Sequence, residues 1–120
     1  MFNETKTKIT NQFSNVEKSF YAAADLKISN SHTPCIITDT YPNLGLLTSL
    51  RFIEWVCENP RGVVSLPTGK TPEYFIKWTN YIIKNWDSSK VKNIFEKHGL
   101  NVRKKPRFDY LKFVQIDEFY

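Results

Sequence analysis

A chain of 120 residues, 41% hydrophobic and 15% aromatic, has the length and apolar content of one packed domain, which excludes a wholly disordered tail. Its formal net charge of +5 favours an anionic ligand without choosing among a phosphosugar, a nucleotide and RNA. Cys35 and Cys57 lack metal-type spacing and only two histidines accompany them, so no metal site is expected. Both thiols read as free in a reducing compartment, with Cys57 in the core. Residues 1–15 are too polar for a signal peptide, and no segment has the length of a membrane span, so the expectation is a cytoplasmic protein with no membrane partner.

Residues 1–11 are polar and read as frayed. Phe13, Val16, Phe20, Ala24 and Ile28 recur in steps of three and four, which predicts an amphipathic helix over 13–28 capped by Ser14 or Asn15. After a loop, Cys35-Ile36-Ile37-Thr38 is a candidate first strand, broken by Tyr41-Pro42-Asn43. Leu46, Leu47, Leu50, Ile53, Val56 and Cys57 have helical period, with Asn43 as cap and Asn59-Pro60 as stop. Phe52 and Trp55 fall off that stripe, so this helix is expected to touch structure on two sides.

Residues 63–66 read as a buried strand bounded by Gly62 and Pro67. Thr68-Gly69-Lys70-Thr71 is then a tight hydroxyl-rich turn, with Thr71 as N-cap and Pro72 at the first helical position, where its missing N–H costs nothing. The helix that follows carries Phe75, Trp78, Ile82 and Trp86 on one face, a stripe that reads as core. A further helix over 87–99 has Ser88 or Ser89 as cap, Val91, Ile94 and Phe95 as its apolar face, and Gly99 as stop. His98 near its end is read as satisfying the helix dipole. Residues 101–110 form a basic loop, residues 111–116 the last strand, and Asp117-Glu118 follow it.

Strands alternating with helices imply βαβ crossovers and a parallel sheet, and open parallel sheets bind ligands beyond the carboxyl ends of their strands. If the strands at 63–66 and 111–116 are neighbours, the glycine turn and the Asp117 carboxylate share one crevice. The turn is suited to a phosphate, because free N–H groups and the positive end of a helix dipole converge there. It is equally suited to a plain strand-to-helix connection. It is not a nucleotide P-loop, which needs glycine where Val64 stands. Asp117 is a candidate general base in a partly dehydrated site, or else part of a solvated strand end. Arg103-Lys104-Lys105-Pro106-Arg107 could bind nucleic acid, but no aromatic is interleaved within it, so RNA binding is the lesser reading and a nucleic-acid partner is not expected.

Leu66-Pro67-Thr68-Gly69-Lys70-Thr71-Pro72 and Phe113-Val114-Gln115-Ile116-Asp117-Glu118-Phe119, in this order on a βαβ pattern, resemble the glucosamine-6-phosphate deaminase family, most of all its longer bacterial deaminase-like members. The resemblance covers residues 35–120. It implies an α/β fold, a Rossmann-like open parallel sheet with helices on both faces, preceded by an N-terminal helical extension over 1–33 and running over 34–120. It implies conversion of glucosamine 6-phosphate and water to fructose 6-phosphate and ammonia, with no cofactor. It assigns Thr68, Gly69, Lys70 and Thr71 to the substrate phosphate, Asp117 to proton transfer between C2 and C1, and Glu118 and Phe119 to the walls of the site. The implied partner is a phosphorylated amino sugar, and the full-length protein is expected to be a homo-oligomer.

Three features depart from the family pattern. Lys70 stands where glycine or serine is common, the 87–110 segment is longer than usual, and the Gly-His segment that opens the sugar ring does not appear. The sheet is therefore expected to be incomplete, the N-terminal part of such an enzyme, with apolar strand surface left open and the isolated chain inactive. The related 6-phosphogluconolactonases usually show arginine after Asp-Glu, where Phe119 stands here. A hydrolase of that kind and a non-catalytic phosphosugar-binding domain are the alternatives.

Overall fold

The computed structural model describes residues 12–26, 33–67, 70, 72–102 and 104–116. Its elements are α1 (Asn15–Ala23), α2 (Tyr41–Glu58), β1 (Val63–Pro67), α3 (Glu73–Lys84), α4 (Ser89–Lys97) and β2 (Lys112–Ile116). The protein is thus mixed helix and strand, and β1 and β2 pair as a parallel sheet in which Val63 faces Lys112 and Pro67 faces Ile116.

Local chemistry sets the helix ends. The Ser14 hydroxyl accepts from the Glu17 N–H at 3.2 Å while the Glu17 carboxylate accepts from the Ser14 N–H at 3.1 Å, a reciprocal capping box for α1. The expected helix over 13–28 is shorter than its spacing suggested: α1 ends at Ala23, and Ala24 is extended. Thr40, not Asn43, caps α2; its hydroxyl accepts from the Asn43 N–H at 3.2 Å, and Pro42 lies in the first turn. The residues read as a strand break are therefore the helix start, where a proline is tolerated.

Ser88 caps α4 through the Val91 N–H. Gly99 ends it at φ +74°, with the Leu100 N–H reaching back to the Phe95 carbonyl at 2.9 Å, a Schellman closure. The apolar partners of that closure, Phe95 and Leu100, both lie in the core.

The core joins α1, α2, α3 and α4. Val16, Leu50, Ile53, Ile82 and Val91 are fully buried, and Phe20, Leu46, Phe95 and Leu100 complete the cluster. The N-terminal helix is part of this core. Trp78 and Trp86 pack against its edge, as the aromatic stripe of α3 suggested, and the Trp78 indole donates to the Pro42 carbonyl at 3.1 Å. Phe52 works on a different side of α2: it meets Phe75 edge-on at 5.4 Å and Phe108 at 6.0 Å. This confirms the two-sided contact expected of that helix.

Several sequence expectations need correction. Residues 35–38 form no strand, since they have no ladder partner among the described residues; Ile36 instead packs on the helical core. β1 is not buried: Val63, Ser65 and Pro67 are exposed and Val64 and Leu66 half-buried. On β2, Lys112, Phe113 and Val114 are all exposed. The apolar strand surface expected to be left open is found at Val63 (59%), Phe113 (54%) and Val114 (48%).

Cys57 is exposed, not core. His98 is half-buried and stacked on Phe20 at 4.5 Å; burial and then Lys97 push its imidazole below the ordinary value. Its ring packs on Phe20 at the end of α4, and both influences disfavour the charged form. Among the described residues no helix is long and apolar enough to cross a membrane.

Candidate functional site

The carboxyl edge of the sheet is where the two sequence motifs depart. Because β1 and β2 run in the same direction and in register, Pro67 and Ile116 are Cα partners. Thr68 and Asp117 are the next residues in the chain after those partners. The condition that would have removed a shared crevice, strands on separate sheet edges, does not hold for β1 and β2. Of the residues assigned to the phosphate and to catalysis, Lys70 is described; Thr68, Gly69, Thr71, Asp117 and Glu118 lie outside the described residues.

Lys70 is exposed, and its carbonyl accepts from the Glu73 N–H at 3.0 Å. That bond closes the turn into α3. The helix itself begins one residue later than expected, at Glu73, with Pro72 at the cap position and no side-chain hydrogen bond there. Pro72 has φ −83° and ψ 9°, and its carbonyl takes the first intrahelical bond, from Ile76 at 2.9 Å. No side-chain oxygen therefore competes for the first N–H groups of α3 at that position, which suits an anion site at the helix start. Glu73 in the first turn is paired with Lys77 at 3.0 Å. Both side chains are exposed, so the pair counts for little in stability.

Beside this edge lies a cavity of about 780 Å³ between α2, β1 and the start of α3. Pro67, Pro72, Tyr74, Tyr41, Thr48 and Arg51 are among its lining residues. Its size is that of a pocket for a small organic ligand. The α2 residues on this side, Tyr41, Leu44, Gly45, Thr48, Arg51, Phe52 and Trp55, recur in steps of three and four. They form a second helical stripe, opposite the buried one. That spacing is the signal by which the sequence could have given Arg51, Thr48 and Tyr41 as cavity residues; the glycine, hydroxyl and guanidinium within it masked the period.

Arg51 is the guanidinium of this cavity among the described residues. It is held by Glu17 of α1 at 3.0 Å and stands 3.8 Å from Glu54. Burial pushes the Glu54 carboxyl above its ordinary value, more strongly than the Ser14 hydroxyl and Arg51 lower it. Its Oε1 is buried without a hydrogen-bond partner among the described residues. The folded protein therefore holds this proton more tightly than the unfolded chain does. The buried charge costs stability above the raised folded pKa, and the cost fades as pH falls through it toward the ordinary value of 4.5. Glu54→Gln is expected to raise the melting temperature at neutral pH, and the gain should shrink in melts recorded near pH 4.5.

Among the described residues no group of His, Cys, Asp and Glu is assembled that could hold a metal ion. Compared with family models, curated proteins and solved structures, the chain matches none of them.

Proposed function

We propose that the chain carries the phosphate turn and the proton-transfer base of a glucosamine-6-phosphate deaminase, as the N-terminal part of a Rossmann-like enzyme of amino-sugar breakdown. The observation that supports this reading is the parallel, in-register pairing of β1 with β2, with Pro67 opposite Ile116 at the carboxyl edge. In open parallel sheets that edge is where ligands bind. The backbone and hydroxyls of Thr68, Gly69 and Thr71, with the Lys70 ammonium, take the phosphate of a ring-opened amino sugar. Asp117 then removes the C2 proton and delivers it to C1, and Glu118 shapes the wall. Anchoring the phosphate while a carboxylate is held over C2 replaces a bimolecular encounter by positioning, and general-base transfer supplies the rest.

Ammonia release from glucosamine 6-phosphate by the full-length protein tests the reading. Asp117→Asn is expected to abolish release while glucosamine 6-phosphate still raises the melting temperature. Retained turnover in that variant, or no melting shift in the unmodified protein, overturns it.

A further inference from the structure

The amino edge of the same sheet carries a second, cationic site. Arg61 immediately precedes Gly62 and β1, Tyr110 lies two residues before β2, and the Lys112 N–H donates to the Gly62 carbonyl at 3.0 Å. The parallel pairing thus brings together two chain segments that are almost fifty residues apart in sequence. A cavity of about 610 Å³ opens there, lined by Arg61, Lys104, Lys105, Arg107 and Tyr110. Val56 and Val102 contribute apolar lining.

The Tyr110 ring is the organising feature. The Arg61 guanidinium carbon lies 5.1 Å from its centroid and that of Arg107 5.4 Å, both within cation–π range. Arg107 is also bound to Asp109 at 2.7 Å, so its charge is already partly answered. Arg61, Lys104 and Lys105 have no carboxylate partner among the described residues. Three cations without a carboxylate partner among the described residues, concentrated on one opening, favour an anion. An apolar lining with an aromatic ring is superfluous for a bare anion, but it suits a flat base attached to one. The basic run in the sequence lacked an interleaved aromatic. The fold supplies it from Tyr110, and supplies a further cation from before β1.

We infer that this cavity binds a nucleotide, its base against Tyr110 and its phosphate on Arg61, Lys104 and Lys105, either free or as one unit of single-stranded nucleic acid. Stacking of bases on aromatic and guanidinium faces with cations along the backbone is the general chemistry of single-strand binding. The site lies at the end of the strands opposite the proposed phosphosugar edge, so it does not rest on that reading.

Fluorescence anisotropy of a labelled short oligouridylate, titrated with the 120-residue chain at several salt concentrations, is the test. With three cations meeting phosphates, log K is expected to fall against log salt with a slope of about −2. Lys104→Glu with Lys105→Glu should weaken binding at least about tenfold at low salt. Tyr110→Ala should weaken it roughly fivefold or more, and Tyr110→Phe should restore it, because the ring rather than the hydroxyl carries the stack. Competition by uridine monophosphate identifies the free nucleotide as sufficient; its failure, with the oligomer bound, identifies the strand. No binding at low salt overturns the inference. So does binding that the lysine and tyrosine variants leave unchanged in folded protein, or that inorganic phosphate competes for regardless of Tyr110.

Discussion

Gly45→Ala is expected to lower stability by about 1–3 kcal/mol, and Gly45→Val to abolish a cooperative melt. Gly45 is buried in α2 where that helix crosses the first turn of α3. A methyl group there would collide with the Tyr74 Cβ. It would also stand 2.7 Å from the Tyr74 carbonyl carbon and 2.9 Å from the Phe75 nitrogen. Two of these three neighbours are backbone, so no rotamer change relieves the overlap; the helices must separate. Alanine in a helix interior would ordinarily gain about 1 kcal/mol over glycine. A measured loss in urea or thermal unfolding therefore isolates the cost of moving α3. An alanine variant as stable as the parent would show that α2 and α3 do not approach so closely. Because α3 begins at Glu73, close in sequence to the end of β1 at Pro67, the same displacement should weaken any ligand held at the carboxyl edge of β1.

Ile82→Ala is expected to cost about 2–5 kcal/mol. Ile82 is fully buried on α3, in one cluster with Val16, Leu50, Ile53 and Val91. Removing three carbons leaves a cavity bounded by helices that are themselves held at their ends by caps, so collapse into the space is limited. The neighbouring Ile83 is half-buried and outside that cluster, and Ile83→Ala should cost markedly less. Chemical denaturation of the two variants side by side is the measurement. Equal losses would mean that the helical core is not centred where Ile82 sits. Small domains have only about 5–15 kcal/mol to lose, so the first variant should be near the limit of folding.

The parts of this fold that were legible in the sequence are the ones governed by neighbours three and four positions away. Ser14 with Glu17, Ser88 with the Val91 N–H, and Gly99 followed by Leu100 each complete their bonds within one helical turn. The buried stripe of α2, Leu46, Leu50, Ile53 and Val56, follows the same rule. Errors arose where a local pattern had more than one solution. A four-residue β-branched run at 35–38 has strand propensity, but a strand exists only with a ladder partner, and Ile36 found the helical core instead. Tyr41-Pro42-Asn43 is turn chemistry and also helix-start chemistry, and Thr40 resolved the choice by capping.

Apolar runs likewise said what could be buried, not what was. Val63, Phe113 and Val114 are exposed because coverage of a strand depends on what packs above it, which no residue of the strand encodes. His98 was read from its place at a helix end, yet Phe20, nearly eighty positions away in the chain, stacks on its ring. The second stripe of α2 was seen at Phe52 and Trp55, but its extension through Thr48 and Arg51 to the cavity needed β1 and α3 in place.

By itself, then, the amino-acid order determined the caps of α1 and α4, the principal apolar stripes, the strand character of 63–66 and 111–116, and two short motifs following those strands. Only the tertiary structure decided that the strands are parallel neighbours with Pro67 opposite Ile116, that Arg51 shares a cavity with Pro67, and that Arg61 meets Tyr110. Caps and stripes are enforced by bonds and contacts inside one turn. Strand pairing and shared cavities are enforced by surfaces that meet only after the intervening helices have packed.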